Sequence, residues 1–155
     1  MAKALNLLLQ DHNKVKEILH KMLEKNNIHN TEQQQELFTQ LVEELELHEE
    51  IEEKLFYPPL KAHSATKNLI LQAYEEHHLV DTILQELEEL EPKDERWQVK
   101  LRVLQECFLH HVNEEEQEIF PQAEEVLKQD ELETIAVNIE AMKQEQEELE
   151  QELEQ

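Results

Sequence analysis

Two stretches of the chain place a histidine four residues before a glutamate, ahead of an aromatic residue and a proline. The pairs are His48 with Glu52 and His111 with Glu115. Four residues is about one helical turn, so each pair projects from the same face of its helix. That face is otherwise apolar in both stretches, and a carboxylate among apolar side chains is costly unless it is paired or binds a metal. The spacing therefore indicates a metal site in a helical core.

The composition predicts an all-α protein. The chain has 155 residues, no glycine and four prolines, and it is rich in the good helix formers Glu, Gln, Leu, Lys and Ala. Without glycine, the tight turns of small β proteins are difficult to form. This length is enough for one domain that buries roughly 70% of its unfolded surface.

The apolar positions recur at the three- and four-residue spacing of amphipathic helices. The pattern predicts an up-down-up-down four-helix bundle over residues 1–128, followed by an additional C-terminal helix and an acidic Glu/Gln-rich tail over 129–155. Thr31 is the predicted N-cap of the second helix. Pro58 is expected to end that helix, and Pro121 to kink or end the fourth.

Each of the four apolar stripes carries one histidine. The segment beginning at His12 also aligns with the segment beginning at His77, which predicts two similar helical hairpins related by a pseudo-twofold axis. A carboxylate can bridge two metals, so four imidazoles and two carboxylates can hold a dinuclear centre of iron, manganese or zinc. The predicted inward-facing set is His12, His48, Glu52, His77, His111 and Glu115.

Several neighbours of these residues stay open as alternatives. Glu49 lies about 100° round the helix from His48, and its counterpart in the second half is Val112, so a ligand role for Glu49 would make the two metals inequivalent. A small error in helix phase would exchange His77 or His111 for His78 or His110. Tyr74, one turn before His77, is a candidate hydrogen-bond donor near the metals, with an ordinary packed tyrosine as the alternative.

A ferritin-like di-iron site is the main structural competitor, because it uses Glu-x-x-His twice. Glu17 with His20 and Glu75 with His78 have that spacing. Both glutamates fall nearly opposite their apolar stripes, and both histidines lie well off them. We therefore reject this arrangement.

Taken together, the motifs resemble the hemerythrin-like, HHE cation-binding domain. The resemblance runs from about Leu5 to Pro121 and rests on one His on helix 1, His-Glu-x-x-Glu before Phe-Tyr-Pro on helix 2, Glu-Glu-His on helix 3, and His-x-x-x-Glu-Glu before Ile-Phe-Pro on helix 4. It implies a non-heme, oxo- or hydroxo-bridged di-iron centre in a four-helix bundle. By this resemblance the four histidines are terminal ligands, Glu52 and Glu115 bridge the metals, and Glu49 matches an additional carboxylate ligand of some members.

The pattern departs from that of the oxygen-carrying hemerythrins, which bind one metal with three histidines and use an aspartate on the last helix. We therefore expect a protein that binds, senses or reduces a small oxidant (O2, peroxide or NO), rather than a reversible oxygen carrier. Peroxide- or NO-consuming oxidoreductase activity is left open. The alternative is an iron- or cation-binding storage or signalling module without turnover, and zinc or manganese could replace iron.

The charge and the apolar runs bear on partners and location. The formal net charge of −24 argues against nucleic acid and anionic membrane surfaces as partners. No secretion signal is evident, and no apolar run approaches the roughly 20 residues that span a bilayer. A cytoplasmic location is the expectation. The sequence does not identify a protein partner.

Overall fold

The computed structural model describes residues 1–154, and within that range every regular element is helical. No helix in this range has an apolar stretch long enough to cross a lipid bilayer. The predicted all-α bundle with an additional C-terminal helix is confirmed. In chain order the elements are α1 (Lys3–Leu23), α2 (Thr31–Ile51), the π-helical turn π1 (Glu52–Phe56), α3 (Tyr57–Lys61), α4 (Lys67–Glu88), α5 (Glu95–Glu114), the π-helical turn π2 (Glu115–Ile119), α6 (Phe120–Val126) and α7 (Gln129–Glu154).

Two antiparallel hairpins form the bundle. Helix α1 packs on α2 and α4 packs on α5, while contacts of α1 with α5 and of α3 with α4 close the bundle. Short capped turns suit this arrangement: the Asn30 side chain accepts the Gln33 N–H at 3.0 Å, and the Asp94 side chain accepts the Arg96 N–H at 2.9 Å. The N-cap of α2 is therefore Asn30, one residue before the predicted Thr31.

Pro58 does not end its helix, which corrects the sequence-based expectation, and the helix also continues past Pro121. In each case a π-helical turn comes first: the Tyr57 N–H donates to the Glu52 carbonyl and the Phe120 N–H to the Glu115 carbonyl, five residues back. Pro58 and its neighbour then fall in the first turn of a new α-helical segment, where a missing N–H and the ring are tolerated. The second rod thus continues to Lys61.

The core consists of two apolar clusters with a polar layer between them. Along α1, for example, Leu8 belongs to one cluster and Val15 to the other, and His12 lies between them. All three side chains are fully buried. The four predicted ligand stripes cross this layer at the same depth, so the bundle surrounds the polar residues with hydrocarbon on both sides.

Helix α7 lies against α1 on the outside of the bundle. Its buried positions are Leu132, Ile135, Ala136 and Ile139, which join the cluster that contains Leu8. An ion pair between Lys3 Nζ and Glu140 Oε1, 2.6 Å apart, also joins the two helices. From residue 143 to Glu154 the helix continues with mostly exposed side chains.

A buried polar junction closes the end of the bundle away from the polar layer. The Gln34 side-chain amide donates to the Met22 carbonyl at 2.8 Å and to the Asn27 carbonyl at 2.9 Å. The same side chain accepts the Trp97 indole N–H at 3.1 Å. One glutamine therefore satisfies buried groups from α1, the first loop and α5, and fixes their relative position.

Replacing Gln34 by leucine should destabilise the fold, because two carbonyls and the Trp97 N–H lose their partner. We expect Gln34→Leu to lower the free energy of unfolding by about 2–4 kcal/mol, measured by urea denaturation. The control is Gln35→Leu, at an exposed position one residue on, which should change it by less than about 0.5 kcal/mol. Equal stability of the two variants would contradict this account of the junction.

Candidate metal centre

The four helical rods bring the six predicted inward-facing side chains into the polar layer. His12, Glu52 and Glu115 are completely buried, and the other three histidines are 3% exposed. Because each side chain comes from an apolar stripe, folding of the bundle alone places them there. The six side chains thus converge in the centre of the core.

The imidazoles form two pairs, one from each hairpin. The ring centroids of His12 and His48 lie 4.8 Å apart with an interplanar angle of 72°. Those of His77 and His111 also lie 4.8 Å apart, at 71°. The near-identical geometry supports the pseudo-twofold relation expected from the internal repeat.

The two carboxylates lie between the imidazole pairs. Glu52 Oε1 is 3.1 Å from His48 Nε2 and also 3.1 Å from His77 Nε2. Glu115 Oε1 is 2.9 Å from His12 Nε2, and its Oε2 is 3.6 Å from His111 Nε2. Each carboxylate therefore faces one histidine of each hairpin.

Several of the converging atoms are buried without a hydrogen-bond partner among residues 1–154. His12 Nε2 and Glu115 Oε1, for instance, lie close together without the alignment of a hydrogen bond. Buried donors and acceptors are normally paired, so a group of unpaired ones fits a bound metal. The atoms are His12 Nε2, His48 Nε2, Glu52 Oε2, His111 Nε2 and Glu115 Oε1.

The inward-facing side chains form two groups, each of which could hold a metal ion. In each group, every residue offers one ligand atom, and these atoms all lie within 4.8 Å of one another. Glu52 belongs to both groups. Both groups combine imidazole nitrogens with carboxylate oxygens, the donors that suit iron, manganese or zinc. The groups are His12, His48, Glu52 and Glu115, and Glu52, His77 and His111.

Every one of the four histidines has a further carboxylate behind it. The Nδ1 atom faces this carboxylate, which turns Nε2 towards the centre and makes the imidazole a stronger ligand. The Nδ1-to-oxygen distances are 2.9 Å for His12 with Glu116, 3.0 Å for His48 with Asp11, 3.0 Å for His77 with Glu53, and 2.7 Å for His111 with Glu76.

These outer carboxylates were not predicted, although the sequence carries a signal for them. Asp11 and Glu76 directly precede the histidines of α1 and α4, whereas Glu53 and Glu116 directly follow the two bridging glutamates. Both halves of the repeat thus carry an acid at each equivalent position. In each half, one acid contacts the histidine on the other helix of its own hairpin. The second acid contacts a histidine of the other hairpin.

Tyr57 is a further buried residue of the centre that the sequence analysis missed. Its hydroxyl donates to Glu115 Oε2 at 2.5 Å and lies 3.3 Å from His77 Nε2. The equivalent residue of the second half is Phe120, whose ring stacks on His12. The two halves of the centre are therefore inequivalent. Tyr74 packs its ring against Tyr57, 5.4 Å between centroids, as expected for an ordinary packed tyrosine.

Charge coupling strongly shifts the ionisation of these groups in the absence of metal. Burial lowers the pKa of His48, but the Glu52 carboxylate and the Asp11 hydrogen bond outweigh it and raise this pKa to about 10. Burial also lowers the pKa of His77, but the hydrogen bonds with Glu52 and Glu53 outweigh it and raise this pKa to about 11. Burial and the neighbouring carboxylates raise the pKa of Tyr57 well above its usual value, so its hydroxyl keeps its proton near neutral pH.

Glu49 lies outside the six-residue group. It is 8% exposed, and burial together with the nearby Asp81 carboxyl raises its pKa to about 9. Its assignment as a ligand of the dinuclear centre stays a prediction. His78 and His110 are exposed, so the helix phase favours their neighbours as the inward-facing histidines.

The residues of the rejected ferritin-like pattern are on the surface. Glu17, His20, Glu75 and His78 are all exposed. They therefore cannot contribute to a centre within the bundle.

Comparison with known proteins identifies a family and a similar solved structure. Residues 3–123 match the Hemerythrin HHE cation binding domain. The crystal structure of a hemerythrin HHE cation-binding domain-containing protein from Mycobacterium kansasii superposes with a TM-score of 0.79 at 32% sequence identity, covering 93% of this chain and 87% of the other.

A curated protein is also similar in sequence. It is named DNA nickase, from Nostoc sp., and is 26% identical over 138 residues, which cover 89% of this chain. The chain spans 38% of the length of that relative. The likeness therefore concerns one part of a longer protein.

The raised histidine pKa values predict an alkaline loss of stability in the metal-free protein. A raised pKa means that the folded state binds the histidine proton more tightly than the unfolded state does, which stabilises the fold. This contribution to the free energy of unfolding is complete below the unfolded-state pKa of 6.5. It is lost as the pH rises through the folded-state values of about 10 and about 11. Urea denaturation should show this loss. In metal-loaded protein the imidazoles are already deprotonated, so the alkaline decline should be absent. Identical pH profiles of the two forms would contradict the protonation scheme.

Removing an outer carboxylate should weaken metal binding, because the His111 imidazole loses the group that orients it. We expect Glu76→Ala to lower metal affinity about 10- to 100-fold, measured by competition with a chelator. Glu75→Ala, at the exposed neighbouring position, should bind as the wild type does. If the two variants bound metal equally well, the orienting role of Glu76 would be wrong.

Proposed function

The chain belongs to the hemerythrin HHE cation-binding domain family, and we propose that its core holds two iron ions that bind, sense or reduce O2, peroxide or NO. The observation that carries this proposal is the convergence of buried, unpaired imidazole and carboxylate atoms from four helical rods. Unpaired polar atoms at this depth are costly in a metal-free protein. Metal binding would give each of them a partner.

Iron is proposed ahead of zinc because of the two carboxylates that lie between the imidazole pairs. Mixed nitrogen and carboxylate donors in a helical bundle suit di-iron and di-manganese centres. Zinc sites more often use four ligands around one ion. Here six donors are arranged around two positions with Glu52 common to both, so a dinuclear redox metal is the better fit.

The protein contributes exclusion of water and one positioned donor. When bound, two iron ions would supply redox chemistry and open coordination positions for a small oxidant. The apolar clusters above and below the polar layer keep bulk water out. The Tyr57 hydroxyl points into the layer beside Glu115 and His77 and can donate a hydrogen bond or a proton to a molecule bound there.

We also propose that the reacting partner is a small molecule rather than nucleic acid. The name DNA nickase belongs to a relative of which this chain spans 38%. A formal net charge of −24 opposes association with a phosphate backbone. The centre, in contrast, is buried within the core, out of reach of a macromolecule.

Paired histidine substitutions test the metal site. His48→Ala with His111→Ala removes one imidazole from each metal position and should abolish stoichiometric iron binding, measured by elemental analysis after reconstitution. The control is His78→Ala with His110→Ala, which alters the exposed neighbours and should keep full iron content. Full iron content in the first double variant would overturn the proposed site.

Turnover separates oxidant chemistry from the alternative, a cation-binding storage or signalling module. Iron-loaded protein should consume peroxide or NO over many cycles in the presence of a reductant. Full iron content without consumption would favour the storage or signalling function. The two results are distinguishable because iron content is measured on the same sample.

Tyr57→Phe tests the positioned hydroxyl with little change in shape. We expect iron content to stay unchanged and the steady-state rate of oxidant consumption to fall at least about ten-fold, since a proton donor is lost. Tyr74→Phe, which alters the tyrosine packed against it, is the control and should react at nearly the wild-type rate. A wild-type rate for Tyr57→Phe would exclude this role.

A further inference from the structure

The C-terminal helix α7 reaches the outer side of the centre through a single lysine. Lys143 is the only basic residue in residues 129–154, a segment that is otherwise rich in glutamate. It follows the buried Ile139 by four residues, so it projects from the face of α7 that packs against the bundle. The helix begins at Gln129, beyond the segment 3–123 that matches the family. This lysine is therefore a contribution from outside the matched domain.

Lys143, Asp11 and His48 form a chain of contacts that ends at a predicted ligand. Lys143 Nζ donates to Asp11 Oδ1 at 2.6 Å, and Asp11 Oδ2 lies 3.0 Å from His48 Nδ1. Each oxygen of the carboxylate thus has one partner. Asp11 is 7% exposed and the lysine side chain 27% exposed, so water and salt screen this ion pair less than a surface pair. The charge of Lys143 therefore acts on His48 through Asp11.

A second lysine lies near the outer carboxylate of His12. Lys16 Nζ is 3.9 Å from Glu116 Oε2, the oxygen that faces His12. This distance is too long for a hydrogen bond. The two lysines thus act on the two histidines of the α1–α2 hairpin, and Lys143 makes the closer contact.

The outer carboxylates of His77 and His111, in the α4–α5 hairpin, have no lysine beside them. Across residues 1–154, no Lys or Arg nitrogen forms an ion pair with Glu53 or Glu76. Glu76 is approached instead by the exposed imidazole of His110, at 3.7 Å. These two carboxylates therefore keep more of their negative charge.

The two sides of the centre consequently differ in charge. Glu52 and Glu115 each face one histidine of each hairpin, so the inner carboxylates act on both sides. The outer carboxylates make the difference, because only those on the α1–α2 side have lysines beside them. A hydrogen-bonded carboxylate makes an imidazole a stronger ligand, and a cation next to that carboxylate weakens the effect. An ion on the α4–α5 side would have the more negative surroundings.

We propose that Lys143 sets the order in which the two proposed iron ions are reduced. Acting through Asp11, it makes the ion on the α1–α2 side accept an electron first, while the ion on the α4–α5 side keeps the higher charge. The reduction converts a ferric to a ferrous ion with one electron from an external reductant, and more positive surroundings favour the ion of lower charge. This inference rests on the proposed iron centre.

Reduction potentials test the effect of this charge. Iron-loaded protein is titrated anaerobically with dithionite and redox mediators, and the half-reduced centre is followed by electron paramagnetic resonance. Lys143→Met keeps the length of the side chain but removes its charge. It should shift the first one-electron reduction about ten-fold towards the oxidised state, a fall of about 59 mV. The second reduction should shift less, so the maximal signal of the half-reduced centre should also fall.

Two matched variants separate charge from packing. Lys3→Met removes another ion pair between α1 and α7, from Lys3 to Glu140 at 2.6 Å, but at the N-terminal end of α1, and should keep the wild-type potentials. Lys143→Arg retains the charge and should also keep them. Equal potentials of Lys143→Met and Lys3→Met would overturn the proposal. It would equally fail if Lys143→Arg shifted as far as Lys143→Met, since packing would then be the cause.

Zinc binding keeps the result separable from the proposed function. Zn²⁺ has no redox chemistry, so its affinity, measured by competition with a chelator, reports the effect of charge alone. Lys143→Met should bind Zn²⁺ at least about three-fold more tightly than Lys3→Met, because a positive charge near the centre is lost. Equal affinities would show that Lys143 does not act on the centre. If the wild type binds zinc but no iron, the proposed function fails, and this comparison still decides the action of Lys143.

Discussion

The structure depends on keeping four imidazoles and two carboxylates inside an apolar core. Removing such charges from water costs several kcal/mol per ion, and mutual attraction offsets this only when the remaining donors and acceptors are paired. The outer carboxylates meet that condition on the Nδ1 side of every histidine. On the Nε2 side the protein provides carboxylates but too few hydrogen bonds, so a metal is the missing partner. The layout of the bundle, with apolar clusters above and below, follows from this requirement.

The π-helical turns place two further side chains, Tyr57 and Phe120, beside the centre. In a π turn the hydrogen bonds run from i to i+5, so residues five apart return to the same face. Tyr57 follows Glu52 by five residues, and both therefore face the centre. The second half repeats the geometry with Glu115 and Phe120. Because one half carries a hydroxyl and the other a phenyl ring, similar backbones give the two halves of the centre different surroundings.

The sequence predicted the bundle and the six converging residues because both follow from a regular helical period. That period fails after Glu52. A continued α-helix would place Leu55, three residues on, on the same face as Glu52, but Leu55 is half-buried, whereas Phe56 and Tyr57 are fully buried. A π turn has no simple sequence signature, so Tyr57 was missed for a physical reason. The outer carboxylates were missed because each acts on a different helix from its own. Asp11 illustrates this, since it faces His48 and also accepts a hydrogen bond from Lys143 on α7, 132 residues away.

The central claim is a dinuclear iron centre, and metal analysis with an ultraviolet–visible spectrum of the aerobically purified protein tests it most directly. The structure and the family together lead us to expect two irons per chain, with near-ultraviolet bands from an oxygen-bridged pair. Zinc alone, a single metal per chain or no metal would contradict the claim. The fold would then stand, with a binding or structural role in place of oxidant chemistry.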